Sequence, residues 1–465
     1  MMIGGCADQY ITGRSEGQLL ELAGDRGQAD RVRLMVLEEI LGRQMEQGQK
    51  EKLGERLAEV IKSQRHSPVI RRRAGQIIVE RYRDRAAVWL SEALIDTPEE
   101  ELRQQYIADL IRLAEQVDCR LRENDKAVVV SNLIIALEKS GVGKEPQTQP
   151  VGRAIERITN EPLEKVLPKQ LEQEGQLRAR MAALGCLLGI KKRQEVLAMV
   201  RSAAGEDEFL GQLKFWAERF GYLPSNGARF LVCYRVRQQI TGEQMERLGA
   251  RVRRLSEREG YRFEGQDSYL LVNGDEGQLE RRRGELEEEI VGRLGRRGHT
   301  KRLASYKGAQ DDYAEDFAGQ RNFLSYTDLV RIKLLLDTLS ETASVERLRS
   351  FLQEDCDDIE SEAGGLCFLE GKLIRFEQYR PSERLGDNQY VEGPQMAQDA
   401  ALSLARWHLH VHAWRGEDLA GPGVDDLQYV AYFGCPLVVV TKIKEKVCNV
   451  DYVSAEGVVV DLGNY

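Results

Sequence analysis

Trp407-His408-Leu409-His410-Val411-His412-Ala413-Trp414 carries three of the five histidines in the chain. Imidazoles alternate with Leu and Val between two tryptophans, and a period of two marks a strand with one apolar and one polar face. Residues i, i+2 and i+4 of a strand share a face, so successive rings stand roughly 6.5–7 Å apart along it. Neutral imidazole is the commonest metal ligand, and two neighbouring rings can turn toward one ion. His408 with His410, or His410 with His412, supplies such a pair.

Local signals order the elements on either side. Residues 396–406 read as a helix delivering the chain to this strand. Further upstream, a helix over 344–355 runs into Glu362-Ala363-Gly364-Gly365-Leu366-Cys367-Phe368-Leu369. A turn at Glu370-Gly371-Lys372 then leads to a partner strand over 373–379. Downstream, the glycine-rich loop 416–423 enters Asp425-Asp426 and a helix over 427–433. Pro436-Leu437-Val438-Val439-Val440-Thr441 is a buried-type strand, and 449–453 with 457–461 closes a hairpin.

Three pieces of this region fall in a familiar order: Glu362-Ala363-Gly364-Gly365-Leu366, then His-x-His, then Gly423-Val424-Asp425-Asp426. On these residues 340–465 resembles the JAB/MPN metalloprotease domain with its JAMM motif. There a glutamate precedes a Gly-Leu strand, His-x-His lies on a later strand, and Ser-x-x-Asp opens a helix. The resemblance implies an α/β domain with a mixed sheet and a Zn2+ ion held by two of His408, His410 and His412 and by Asp426, with Asp425 in reserve. It also implies hydrolysis of peptide or isopeptide bonds in a protein partner, with Glu362 taking a proton from water and returning it to the leaving amine. Two imidazoles and a carboxylate leave zinc one open position for that water. The family proline after the second histidine is replaced by Val411 or Ala413, the loop before the acid is longer than usual, and Gly423 stands where the family serine helps hold the oxyanion. Loss of one such donor costs roughly 10²–10³ in rate. The alternative implied by these departures is a non-catalytic interaction scaffold with a degenerate JAB-like domain.

Ahead of this domain the chain reads as helix. Ser67-Pro68 and Thr97-Pro98-Glu99-Glu100 are helix starts, the second with the spacing of a capping box. Leu102, Tyr106, Ile107, Leu110, Ile111 and Leu113 form one apolar stripe. Short helices with one such stripe must stack to bury it, and Ser67-Pro68-Val69-Ile70-Arg71-Arg72-Arg73-Ala74-Gly75 resembles the second helix of a HEAT-type repeat. Residues 1–140 therefore form a helical, HEAT-like region and 151–225 a second helical block, joined through a loop over 141–150. Such a surface would dock the protein or peptide substrate. Residues 226–295 are expected to be a small α/β module of βαββα order, with a strand at Ala228-Arg229-Phe230-Leu231-Val232-Cys233-Tyr234-Arg235-Val236, a helix over 242–259, a strand pair over 261–272 and a long charged helix over 277–294. The fold class is thus multidomain, α plus α/β.

Composition narrows the function classes. A chain of 465 residues exceeds one core. The balance of 67 Lys+Arg against 76 Asp+Glu, a net charge of −9, argues against a nucleic-acid binder, although Arg296, Arg297, Lys301 and Arg302 with Tyr306 form one basic cluster. No apolar run approaches the roughly 18 residues of a membrane span, and the start lacks the pattern of a secretion signal. Eight cysteines, with no C-x-x-C pair, fit neither a disulfide framework nor a thiolate zinc cage. A soluble protein of the reducing cytoplasm is expected.

Overall fold

The computed structural model describes residues 14–465 except 16–17, 20, 23–24, 26–27, 43–46, 116–121, 141–144, 174, 206, 296–299, 303–311, 359, 385–389 and 412–419. The chain divides into two compact units, Met1–Leu210 and Gly211–Tyr465. Among the described residues no helix is long and apolar enough to cross a membrane.

The first unit is built of helices, among them Gln47–Lys62, Pro68–Arg81, Arg83–Ile95, Glu100–Glu115, Leu163–Glu172 and Leu177–Ile190. Two buried arginines repeat one device there. Arg71, the fourth residue of its helix, donates from Nε to the carbonyl of Ile61 at 3.0 Å, from Nη1 to Glu99 at 2.8 Å and from Nη2 to Thr97 Oγ1 at 2.6 Å. Arg180, also fourth in its helix, donates from Nε to the carbonyl of Leu171 at 2.9 Å and from Nη2 to Asp207 at 2.8 Å. Each guanidinium thus ties the end of the preceding helix to a polar group beyond its own helix, satisfying a terminal carbonyl that would otherwise be orphaned. The residues read as caps serve other ends. Ser67 precedes Pro68 as expected, but its hydroxyl donates to Asp30 instead of capping. Thr97 donates to the carbonyl of Ala93 at 2.7 Å and accepts from Arg71, and the helix begins only at Glu100.

In the second unit the stretch read as a central α/β module holds helices joined by short loops and no strand among its described residues. Helix α1 (Gly227–Gln239) replaces the strand expected at 228–236, while α2 (Gly242–Glu259) and α3 (Arg283–Leu294) lie where helices are expected. Asn226 caps α1 by accepting from the backbone of Arg229 at 3.0 Å, and Phe230, Cys233 and Val236 are buried at three-residue spacing. Capping and a continuous helical stripe override the β-branched and aromatic composition that suggested a strand. The strand pair expected over 261–272 is a short 3₁₀ turn, Gly265–Asp267, running into helix Ser268–Asn273. Gly265 sits so close to α1 that a Cβ would lie 2.8 Å from Cys233 Sγ. The single long helix expected over 277–294 is broken before α3, where Arg258 donates to the carbonyls of Leu279, Glu280 and Arg281 at 2.8–3.0 Å.

Helices α4 (Tyr326–Ser340) and α5 (Thr342–Asp357) lead to a six-stranded mixed sheet. Its strands are β1 (Gly364–Glu370), β2 (Leu373–Tyr379), β3 (Ala405–His410), β4 (Leu437–Lys444), β5 (Val447–Val453) and β6 (Val459–Asn464), in the spatial order β2-β1-β3-β4-β5-β6. Only β3 and β4 run parallel. The helix expected over 396–406 is shorter, Pro394–Asp399 with a following 3₁₀ turn, because β3 already begins at Ala405.

One core joins the helices to one face of the sheet, running from Trp216 and Leu248 through Leu329 and Phe351 to Trp407, Val440 and Leu462. Helix α6 (Val424–Phe433) covers part of the opposite face, where Val430 meets Leu437, Val439, Val453 and Val459. Arg331 of α4 is fully buried and pins that helix to its surroundings. It donates to the carbonyl of Leu404 at 3.0 Å and to Asp267 at 2.8 Å, while Asp267 also accepts from Tyr261 at 2.5 Å. Of the basic cluster, residues 296–299 and Tyr306 lie outside the described residues. Thr300–Arg302 forms a short strand paired with Asp312–Ala314.

Gly365 holds the sheet's tightest approach. A Cβ there would lie 1.9 Å from the carbonyl oxygen of Glu377 on β2, and backbone in a paired strand cannot withdraw. Gly365→Ala is expected to destabilise the second unit by about 1–3 kcal/mol or more, read as a lowered midpoint in denaturant titration of the full chain. A midpoint equal to that of the wild type would show that the strands can part at no cost.

Candidate metal centre

Strand β3 positions the imidazoles by alternation. Trp407 and Leu409 enter the core beneath the helices, so His408 and His410 emerge on the other face. Their rings lie stacked, with centroids 4.9 Å apart. His412 lies outside the described residues; of the two alternative pairs, the described one is His408 with His410.

Glu362 arrives from the neighbouring strand. Gly364 pairs with His408 in the antiparallel β1–β3 register, and Leu409 donates its N–H to the carbonyl of Ala363 at 3.0 Å. That places Glu362 alongside His410, with Oε1 3.7 Å from Nε2. The Ala363 N–H is held at 2.6 Å by Asp355 Oδ1 at the end of α5. Gly364 lets the two strands approach, since a Cβ there would sit 2.9 Å from the carbonyl of Trp407 and 3.2 Å from the Cβ of His408. Glu360, two residues earlier, is exposed and paired with Arg384 at 2.9 Å.

Asp426 comes from the first turn of α6. Its Oδ2 accepts the N–H of Gly423 at 2.6 Å, closing the helix start from within. Oδ1 lies 3.3 Å from Nε2 of His408, and Oδ2 lies 3.5 Å from Nε2 of His410. Asp425 is exposed and takes no part. The structure thus gathers His408, His410, Asp426 and Glu362, with Gly423 at the rim.

Electrostatics separate the two acids. Burial pushes the Glu362 carboxyl up to about 7, reinforced by the nearby Asp426 and Asp355 charges against the pull of His408. Burial also works to raise Asp426, but the adjacent His408 holds it well below the usual carboxylate range. For His408 burial works downward, and the charges of Asp426 and Glu362 outweigh it and raise the imidazole to about 9. One acid is therefore a fixed anion and the other can change its proton near neutrality.

The donor set suits a divalent ion. Glu362, His408 and His410 each offer a ligand atom, all within 4.8 Å of one another. The Nε2 of His408 is buried 3.3 Å from Asp426 Oδ1, without a hydrogen bond of ordinary geometry. A buried ring nitrogen aimed at carboxylates without a hydrogen bond is what a coordinating ion would satisfy. Sequence reasoning missed Gly421 and Thr441, which anchor the back of the His410 ring: its Nδ1 donates to the carbonyl of Gly421 at 3.0 Å, and the Gly421 N–H donates to Thr441 Oγ1 at 2.9 Å. No local motif signals them, since they meet His410 only through the fold. Cys367, Cys435 and Cys448 are buried free thiols and belong to the packing.

If the cluster holds an ion, the full chain purified with added zinc or cobalt carries one equivalent, and His410→Ala and His408→Ala carry far less. Equal metal content in wild type and His410→Ala, measured by elemental analysis, would remove the site. Comparison with models of protein families, with curated proteins and with solved structures finds no match to this chain.

Proposed function

We propose that the second unit is a zinc-dependent hydrolase of peptide or isopeptide bonds, with a centre resembling that of JAB/MPN metalloproteases. The observation that carries this reading is the convergence of two imidazoles and two acids of opposite tuning in one half-buried pocket. His408, His410 and Asp426 would hold the zinc, and Glu362 would act beside it. Borderline-soft zinc accepts this mixture of nitrogen and oxygen donors. When bound, it would polarise the scissile carbonyl and bring the pKa of water toward about 7.

The chain's own groups supply the rest. Asp426, held as an anion beside both Nε2 atoms, would balance the charge of the ion. Glu362, raised to about 7, can accept a proton from water and hand it to the departing amine, as a general base and then a general acid need. A cleft of about 460 Å³ lined by Glu354, Asp358, Ser361, Tyr379 and Arg384 includes Glu362 in its wall, though not the imidazoles or Asp426. The HEAT-like helices of the first unit would provide a docking surface for the protein substrate, and buried free thiols suit a reducing, cytoplasmic setting.

Gly423 favours a second reading, a docking module without turnover. It has no hydroxyl, and its N–H is already committed to Asp426. A serine would fit, since a Cβ meets only Asp426 Oδ2 at 3.6 Å.

Glu362→Gln is expected to keep the zinc of the wild type while lowering hydrolysis of a peptide and isopeptide panel by roughly 10²–10⁴-fold, the usual worth of general acid–base catalysis. Retained hydrolysis would exclude Glu362 as the proton carrier. Gly423→Ser is expected to raise turnover by about 10²-fold. Zinc bound by both variants and wild type, with no hydrolysis by the wild type or Gly423→Ser, would favour the docking module.

A further inference from the structure

We propose that Thr441 is a positioning residue for the metal centre, acting through the backbone of Gly421 to fix the tautomer and angle of the His410 ring. This rests on the reading that the two imidazoles hold an ion. His410 and Thr441 are register partners across the parallel β3–β4 pair. Their side chains therefore leave the same face of the sheet, on strands about 4.8 Å apart.

One residue bridges them. Gly421 directs its N–H to Thr441 Oγ1 at 2.9 Å and its carbonyl to Nδ1 of His410 at 3.0 Å. It does so at φ +92°, a conformation that side-chain-bearing residues rarely adopt. A carbonyl oxygen only accepts, so Nδ1 is the protonated nitrogen and the lone pair is left on Nε2. That nitrogen faces Asp426 Oδ2 at 3.5 Å and Glu362 Oε1 at 3.7 Å. The anchor thus selects the ring form able to bind a cation and points it inward, the task that outer hydrogen bonds perform for metal-binding histidines.

The composition of β4 argues for a purpose beyond the strand itself. Leu437-Val438-Val439-Val440 leads directly into Thr441, and all five are buried. A valine at 441 would have the same shape and an equal strand preference, with no hydroxyl to withdraw from water. The hydroxyl earns its place only through the bond it accepts from Gly421.

The test uses the full chain, whose five histidines make imidazole nitrogen spectra of labelled protein tractable. In wild type and Thr441→Ser, His410 is expected in the Nδ1–H form, with equal zinc affinity in a chelator competition. Thr441→Val is expected to show mixed tautomers and 10–100-fold weaker zinc binding, with an unchanged circular dichroism spectrum. Thr441→Ala gives a second hydroxyl-free variant should the valine disturb packing. Thr441→Val matching wild type in both measurements overturns the proposal, as does weaker zinc binding without a change of tautomer. A wild type that binds no zinc, yet whose His410 loses its Nδ1–H form in Thr441→Val, supports the anchor and overturns the metal reading instead.

Discussion

Trp407 decides which way strand β3 faces. Its ring stacks on Phe351 of α5 with centroids 5.1 Å apart and meets Phe376 of β2 edge-on at 6.0 Å. Its Nε1 donates to the carbonyl of Glu377 at 3.2 Å, reaching past Gly365 on the strand between. Because side chains alternate with a period of two, a slip of one residue would drive His408 and His410 into the core and expel the tryptophan. Such an exchange costs far more than a few kcal/mol, given the area an indole buries and the desolvation of two imidazoles. The bare Cα of Gly365 and the position of Glu362 both follow from this register.

With the strand fixed, the site becomes a problem of burying charge. Asp426 and Glu362 approach the same two rings where the four side chains are only 8–17% exposed. Two adjacent anions in such a place repel, and each loses hydration. The structure resolves this by treating them differently. Asp426 receives a backbone N–H and the nearer imidazole, so its charge is secured. Glu362 is the more deeply buried of the two, and with the charges of Asp426 and Asp355 nearby its proton affinity rises. Environment, not residue type, assigns one carboxylate to hold charge and the other to move protons.

How far the sequence disclosed this depends on the range of each signal. The His-x-His alternation, Glu362 two residues before a glycine pair, and Asp426 in a first helical turn are local patterns, and the fold brings those residues together. Helix α1 was illegible because Phe230, Val232 and Val236 carry strand preference, while the deciding features were the Asn226 cap and a tertiary face. Ser67 and Thr97 had the right identity for capping but were recruited by Asp30 and Arg71, partners distant in sequence. The arginines Arg71 and Arg180 repeat a device that no spacing rule describes. Thr441 was unreadable for the same reason, since a parallel register between β3 and β4 is invisible in either strand alone.

Asp426 shows why position in a helix matters as much as distance to a ligand. As the third residue of α6 it reaches back to the N–H of Gly423, and the positive end of the helix dipole favours its negative charge. The same carboxylate touches both imidazoles, so the start of the helix and the geometry of the centre are one constraint. Val430 then seats the helix on Leu437 and Val439 of the strand that also bears Thr441. Strand β4 therefore sets two approaches to the rings, through the packing of α6 and through the hydroxyl of Thr441. A shift of that strand would therefore displace both the acid and the imidazole anchor.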